Sequence, residues 1–138
     1  MSETITPPLA VGERIVHKSF PPITRHTLAL YCGASGDHNP IHVDLDFAQQ
    51  AGFPDVFAHG MLVMAYLGQA LTDAVSPASI RSFSTRFAAI TQLGAQLTCE
   101  GRVTELFEGS GERRARLALT TKDEHGEIKL AAEAVIAF

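Results

Sequence analysis

The sequence predicts an α+β domain in which a curved antiparallel sheet wraps one long, buried helix. Met61 to Leu71 is rich in apolar residues that fall on all sides of a helical projection. After Pro77 the hydrophobic period changes from helical to two, and the alternation recurs in four segments. Glu108-Gly109-Ser110-Gly111 and Asp123-Glu124-His125-Gly126 separate the last of these as turns, which makes the carboxy-terminal half a meander.

The elements follow in chain order. Residues 1–10, with Thr6-Pro7-Pro8, read as a flexible tail ahead of a single domain over 11–138. Val11 to Phe20 reads as a short strand stopped by Pro21-Pro22. Thr24 is a helix cap, because its hydroxyl can satisfy a free amide of the first turn. The helix carries Leu28, Tyr31 and Cys32 on one face and ends at Gly33 and Gly36.

Ser35 to Asp44 is irregular and polar, and a short helical piece through Phe47 and Ala48 then stops at Gly52-Phe53-Pro54. The long helix runs from about Ala58 to Ala74, and being apolar all round it calls for burial all round. Phe83, Thr85 and Phe87 begin the strands, followed by Leu97, Cys99, Gly101 and Val103. Ala115, Leu117 and Leu119 come next, and Ile128, Leu130, Ala132, Ala134 and Ile136 close the series. A sheet of this size has open edges, which pairing of two copies would cover, so a homodimer is expected.

Composition narrows the function. With 138 residues there is room for one core, and a formal charge of −4 with scattered basic residues argues against nucleic acid. Arg113-Arg114-x-Arg116 sits in an alternating pattern and reads as a solvated strand face. Cys32 and Cys99 lack metal-like spacing, and Met1-Ser2-Glu3-Thr4 is unlike a secretory leader, so the expectation is a cytoplasmic protein. The Met61–Leu71 stretch is too short to cross a bilayer, and no membrane association is expected.

Chemistry concentrates in Tyr31-Cys-Gly-Ala-Ser-Gly-Asp37-His38-Asn39-Pro40-Ile41-His42. Pro40 fixes its own φ and drives Asn39 toward extended backbone, so Asp37 and His42 stand on a stiff loop. An imidazole titrates near ~6.5 and both gives and takes protons at neutrality, while a carboxylate acts as a base or orients water. Asp37 and His42 are therefore candidate acid/base residues; the structural alternative is a loop cap and a core histidine.

Asp37, His38, His42 and His59 could also offer metal ligands. Their spacing matches no zinc pattern, and His38 more simply faces solvent, so neither a metal nor another cofactor is expected. Phe57-Ala58-His59-Gly60-Met61-Leu62 places a glycine where the long helix begins. Its free amides favour negative charge, and the missing side chain lets a ligand oxygen approach the main chain. Close helix packing explains Gly60 equally well, and His59 reads as a structural hydrogen-bonding residue.

Taken together, Ser35-Gly36-Asp37-His38-Asn39-Pro40-Ile41-His42 and Ala58-His59-Gly60-Met61 resemble the MaoC-like dehydratases, the (R)-specific enoyl-CoA hydratases. The resemblance implies a hot-dog fold. It implies that Asp37 and His42 are catalytic, that Asn39 supports them, and that the Gly60 amide contacts a thioester oxygen. The substrate it implies is an acyl-CoA or acyl-carrier-protein thioester, bound in a dimer with sites at the subunit interface. One departure is Ala88-Ala89-Ile90-Thr91-Gln92-Leu93-Gly94, where relatives commonly carry a proline in the turn. A hot-dog thioesterase and a noncatalytic acyl-thioester-binding subunit of a heterodimer are the alternative readings.

Overall fold

The computed structural model describes residues 8–138, so most of the expected tail lies outside the described residues; Leu9 is buried against the core. The chain forms β1 (Arg14–Ser19), α1 (Arg25–Ser35), a 3-10 turn (Pro40–His42), α2 (Leu45–Gln50) and α3 (Gly60–Ala74). A second 3-10 turn (Pro77–Ser79) leads to β2 (Ile80–Phe87), β3 (Thr98–Gly109), β4 (Glu112–Lys122) and β5 (Ile128–Ala137). The five strands make one sheet in the order β1-β3-β4-β5-β2, and every neighbouring pair is antiparallel. The two strands nearest α3 in sequence, β1 and β2, thus lie at opposite edges.

The sheet curves because it is bulged. Register shifts fall between Arg14 and Val16, Ile80 and Ser82, Val103 and Glu105, and Thr121 and Lys122. An extra residue on one strand bends it and increases local twist. At the tightest approach, a Cβ on Gly101 would lie 2.4 Å from Leu119 Cδ2 and 3.0 Å from Val16 Cβ, so three strands crowd over a position only glycine fills. Leu62, Val63, Leu67, Ala70 and Leu71 of α3 pack into the core that this concave face encloses, with Val16, Leu97, Val103, Leu117, Leu119, Leu130 and Ile136.

Several expectations need correction. β1 starts at Arg14 rather than Val11, since Gly12 takes φ 88° and donates its amide to the Val103 carbonyl. Gly33 lies inside α1; the left-handed residue that ends the helix is Gly36, at φ 76°. The Thr24 side chain caps α1 as expected, accepting from the Thr27 amide at 3.1 Å. α3 begins at Gly60 and is not buried all round: Met61 is 56% exposed, and Ala65, Gln69 and Asp73 extend that open face at four-residue spacing. The helix packs on one sheet, which leaves the outer face, apolar at Met61 and Ala65 and polar at Gln69 and Asp73, uncovered.

The alternation of β5 is inverted at its start. Ile128 is exposed and Lys129 is buried, next to the bulge that shifts the β4–β5 register at Lys122. The arginine group lies on the outer strand face, where Arg114 pairs with Glu112 and Arg116 bridges Glu105 and Glu133. No helix among the described residues is long and apolar enough to cross a membrane.

Candidate active site

Asp37 is positioned by a relay of short-range hydrogen bonds. The Ser35 hydroxyl donates to the Tyr31 carbonyl at 2.7 Å and accepts from the Asp37 amide at 3.1 Å. The Asp37 carboxylate accepts from the Asn39 amide at 3.3 Å, and the Asn39 side chain in turn accepts from the Ile41 amide at 3.1 Å. Asn39 therefore caps the 3-10 turn that carries His42, with Pro40 at its first position and the extended backbone (φ −56°, ψ 120°) that precedes a proline. The stiffness of this loop comes from side chains folding back on their own main chain.

His42 is 8% exposed, and its Nδ1 lies 2.7 Å from the Phe57 carbonyl. A carbonyl can only accept, so Nδ1 carries the proton and the neutral ring presents its lone pair at Nε2. The Phe57 carbonyl is the orienting group of this imidazole, and as a main-chain atom it was invisible in the side-chain pattern. The segment that holds it is pinned by the Ala58 amide donating to the Thr91 carbonyl and by a bridge between Phe57 and Gln92. Arg25 at the start of α1 forks onto both Asp55 oxygens at 2.9 and 2.7 Å, tying α1 to the loop that feeds α3. That guanidinium hydrogen bond, aided by the Val56 amide, holds the Asp55 carboxyl below its ordinary range.

The structure brings a third group to the pair. His59, 1% exposed, stacks on His42 with ring centroids 3.8 Å apart and planes 25° apart. Asp37, His42 and His59 each bring one oxygen or nitrogen to within 4.8 Å of the others. His59 Nε2 is 3.3 Å from Cys32 Sγ, and among the described residues its Nδ1 has no hydrogen-bond partner within normal geometry. Burial and the neighbouring His42 hold the His59 imidazole below its ordinary pKa, against the opposing pull of the Asp37 main chain and carboxylate. Beside the buried contact with Cys32, which suits the structural hydrogen bond expected of His59, the stacking on His42 is a contact the side-chain pattern did not anticipate. The available signal was its place immediately before Gly60, seventeen residues beyond His42.

A metal does not suit this trio. Ring-nitrogen lone pairs lie in the ring planes, and nearly parallel stacked planes do not converge within the roughly 2.0–2.1 Å of a zinc–nitrogen bond. His38 is exposed and stands apart from the cluster.

Gly60 opens α3 with no side-chain cap, since the His59 side chain makes no capping hydrogen bond. The Leu62 and Val63 amides donate to the His59 carbonyl, which leaves the Gly60 and Met61 amides available among the described residues, with the dipole behind them. Gly60 lines a cleft of about 320 Å³ with Phe57, Ala58, Val63, Phe87 and Ile90, while Leu130 lies at its floor. A Cβ at Gly60 would come within 3.1 Å of the Phe87 ring, so a side chain there would stand between the amide and the cleft. The proline-free turn forms the opposite wall, with the Ala88 amide donating to the Lys129 carbonyl and Lys129 Nζ donating to the Ile90 carbonyl at 2.8 Å.

Against known proteins, the family model described as "MaoC like domain" matches residues 8–125. An (R)-specific enoyl-CoA hydratase of Rhodospirillum rubrum is 31% identical over 116 residues, covering 83% of this chain and 78% of that protein. Peroxisomal enoyl-CoA hydratase 2 of Arabidopsis thaliana is 34% identical over 80 residues, 56% of this chain, and this chain spans only 26% of its length. The unliganded R-hydratase PhaJ1 from Pseudomonas aeruginosa superposes with a TM-score of 0.82 at 30% identity, covering 94% of this chain and 82% of that one.

Proposed function

The chain belongs to the MaoC-like domain family and has its hot-dog fold, and from that premise we propose that it reversibly hydrates trans-2-enoyl thioesters to (R)-3-hydroxyacyl thioesters. The observation that carries this reading is the convergence of Asp37 and His42 on His59, the residue before Gly60, while Phe57, whose carbonyl orients His42, lines an apolar cleft together with Gly60.

In this mechanism the thioester oxygen sits against the Gly60 amide. As water bonds to C3, the C2–C3 π pair moves to C2 and negative charge builds on that oxygen, where the amide and helix dipole stabilise it. C2 then takes a proton. The Asp37/His42 pair takes one proton from the water and returns one to C2, so the pair ends with the protons it began with. Dehydration runs the same path backwards. The apolar walls, Phe87 and Leu130 among them, suit an acyl chain and exclude competing water. A second copy completes the molecule in this reading, which the open β2 edge and the exposed Phe87, Ile90 and Met61 support.

The test follows crotonyl-CoA absorbance with wild type and Asp37→Asn, assaying free thiol and product configuration in the same samples. Wild type is expected to form (R)-3-hydroxybutyryl-CoA without releasing thiol, and Asp37→Asn to lose roughly 10²- to 10⁴-fold in kcat. Thiol release would assign a thioesterase instead. Binding of substrate with turnover of neither crotonyl nor longer enoyl thioesters, free or carrier-bound, would assign a noncatalytic subunit.

A further inference from the structure

The mechanism gives no task to His59, yet a core-filling role fits it poorly. Leu or Phe would fill the same space, whereas His59 buries two ring nitrogens, one of them, Nδ1, without a hydrogen-bond partner within normal geometry among the described residues. What distinguishes this ring is what it touches. One face lies on His42. Its Nε2 meets Cys32, and its edge meets Tyr31 at 4.7 Å between centroids, so it also rests on the helix from which the Asp37 loop departs. Its own main chain runs directly into Gly60.

We propose that His59 is a positioning residue that holds the His42 imidazole in register with the Gly60 amide. This rests on the hydratase reading, in which a proton carrier and a thioester-oxygen donor must act on one substrate. The Phe57 hydrogen bond fixes one atom of the His42 ring and the Phe57 ring meets it at 85°, but neither contact lies flat on its face. A stacked plane does. Because the platform residue is contiguous with Gly60, displacing the N-terminus of α3 displaces His42 with it, and the two groups keep their separation. The platform must also stay neutral beside a ring that becomes cationic. The titratable groups facing it are Asp37 and His42 from the loop and Tyr31 and Cys32 from α1.

The experiment compares His59→Leu and His59→Phe in the full chain, by crotonyl-CoA kinetics and by ¹⁵N spectra of the histidine rings. Loss of register is expected to lower kcat of His59→Leu by roughly 10- to 100-fold, with KM within about threefold of wild type. His59→Phe restores a flat ring, and its kcat is expected within about fivefold of wild type. In the spectra, His42 keeps its Nδ1–H tautomer in wild type and His59→Phe and averages between tautomers in His59→Leu. Wild-type kcat and unchanged His42 signals in His59→Leu would overturn the proposal, and so would equal losses in both variants. Should His59→Leu not fold, His59→Asn also lacks a ring and is held to the same expectation. If wild type hydrates no enoyl thioester, the hydratase reading falls, while the His42 spectra still decide the role of His59.

Discussion

At the scale of single residues, His59 links stability to pH. Its imidazole is buried and its pKa is lowered, first by burial and then by His42, whereas in the unfolded chain it titrates near the ordinary histidine value of about 6.5. Below that pH the unfolded chain binds a proton that the folded chain does not. Stability therefore falls as pH drops through 6.5 toward the lowered folded value. Urea midpoints measured from pH 7.5 down to 5.5 are expected to fall more steeply for wild type than for His59→Leu; parallel curves would show that His59 takes no part. Asp37, Asn39 and His42 were legible in the sequence because their chemistry is local: a proline, an amide and a carboxylate within six residues fold back on one another. His59 was not, since its effect depends on which ring it meets across 17 residues of chain.

Among the elements, β5 shows how an alternation signal fails and what replaces it. A regular strand would point Lys129 outward, but the bulge at its start turns the ammonium into the structure, where it meets Asp123, Glu127 and the Ile90 carbonyl. The Asp123 carboxyl lies below its ordinary range: burial alone would raise it, and the Glu127 and His125 amides together with Lys129 outweigh that. Lys129 thus fastens the β4–β5 turn to the wall of the cleft that lacks a proline. Replacing it by Met keeps the stem and removes the charged hydrogen bond, with an expected loss of roughly 1.5–3 kcal/mol in denaturant unfolding. The variant is also expected to bind crotonyl-CoA more weakly, because residues 88–91 line the cleft; unaltered KM would separate this anchor from the site. The strands themselves were legible because period-two alternation survives a bulge on either side of it. The bulge positions were not, as they depend on which residues the curved sheet brings together.

For the whole molecule, apolar side chains stay exposed at several places on one copy, Val11, Leu30, Val43 and Phe47 among them, and two more, Phe87 and Ile90, lie at the cleft. The outer sheet face is charged and internally paired, as with Arg116 between Glu105 and Glu133 and Arg81 on Glu112. Exposed apolar side chains instead include Met61 on the open face of α3, Phe87 at the end of edge strand β2, and Ile90 in the turn that follows. The apolar pattern of α3 called for burial all round, whereas a single copy leaves Met61 and Ala65 exposed. A second copy joined along β2 would satisfy that edge and shield the cleft, so light scattering is expected to give twice the 14.8 kDa chain mass. Because Phe87 and Ile90 are exposed and also line the cleft, association through them would tie the cleft to the dimer. Specific activity should then fall on dilution along the same curve as the dimer fraction. Full activity from a 14.8 kDa species would show that one chain builds the whole site and that this apolar surface serves another purpose.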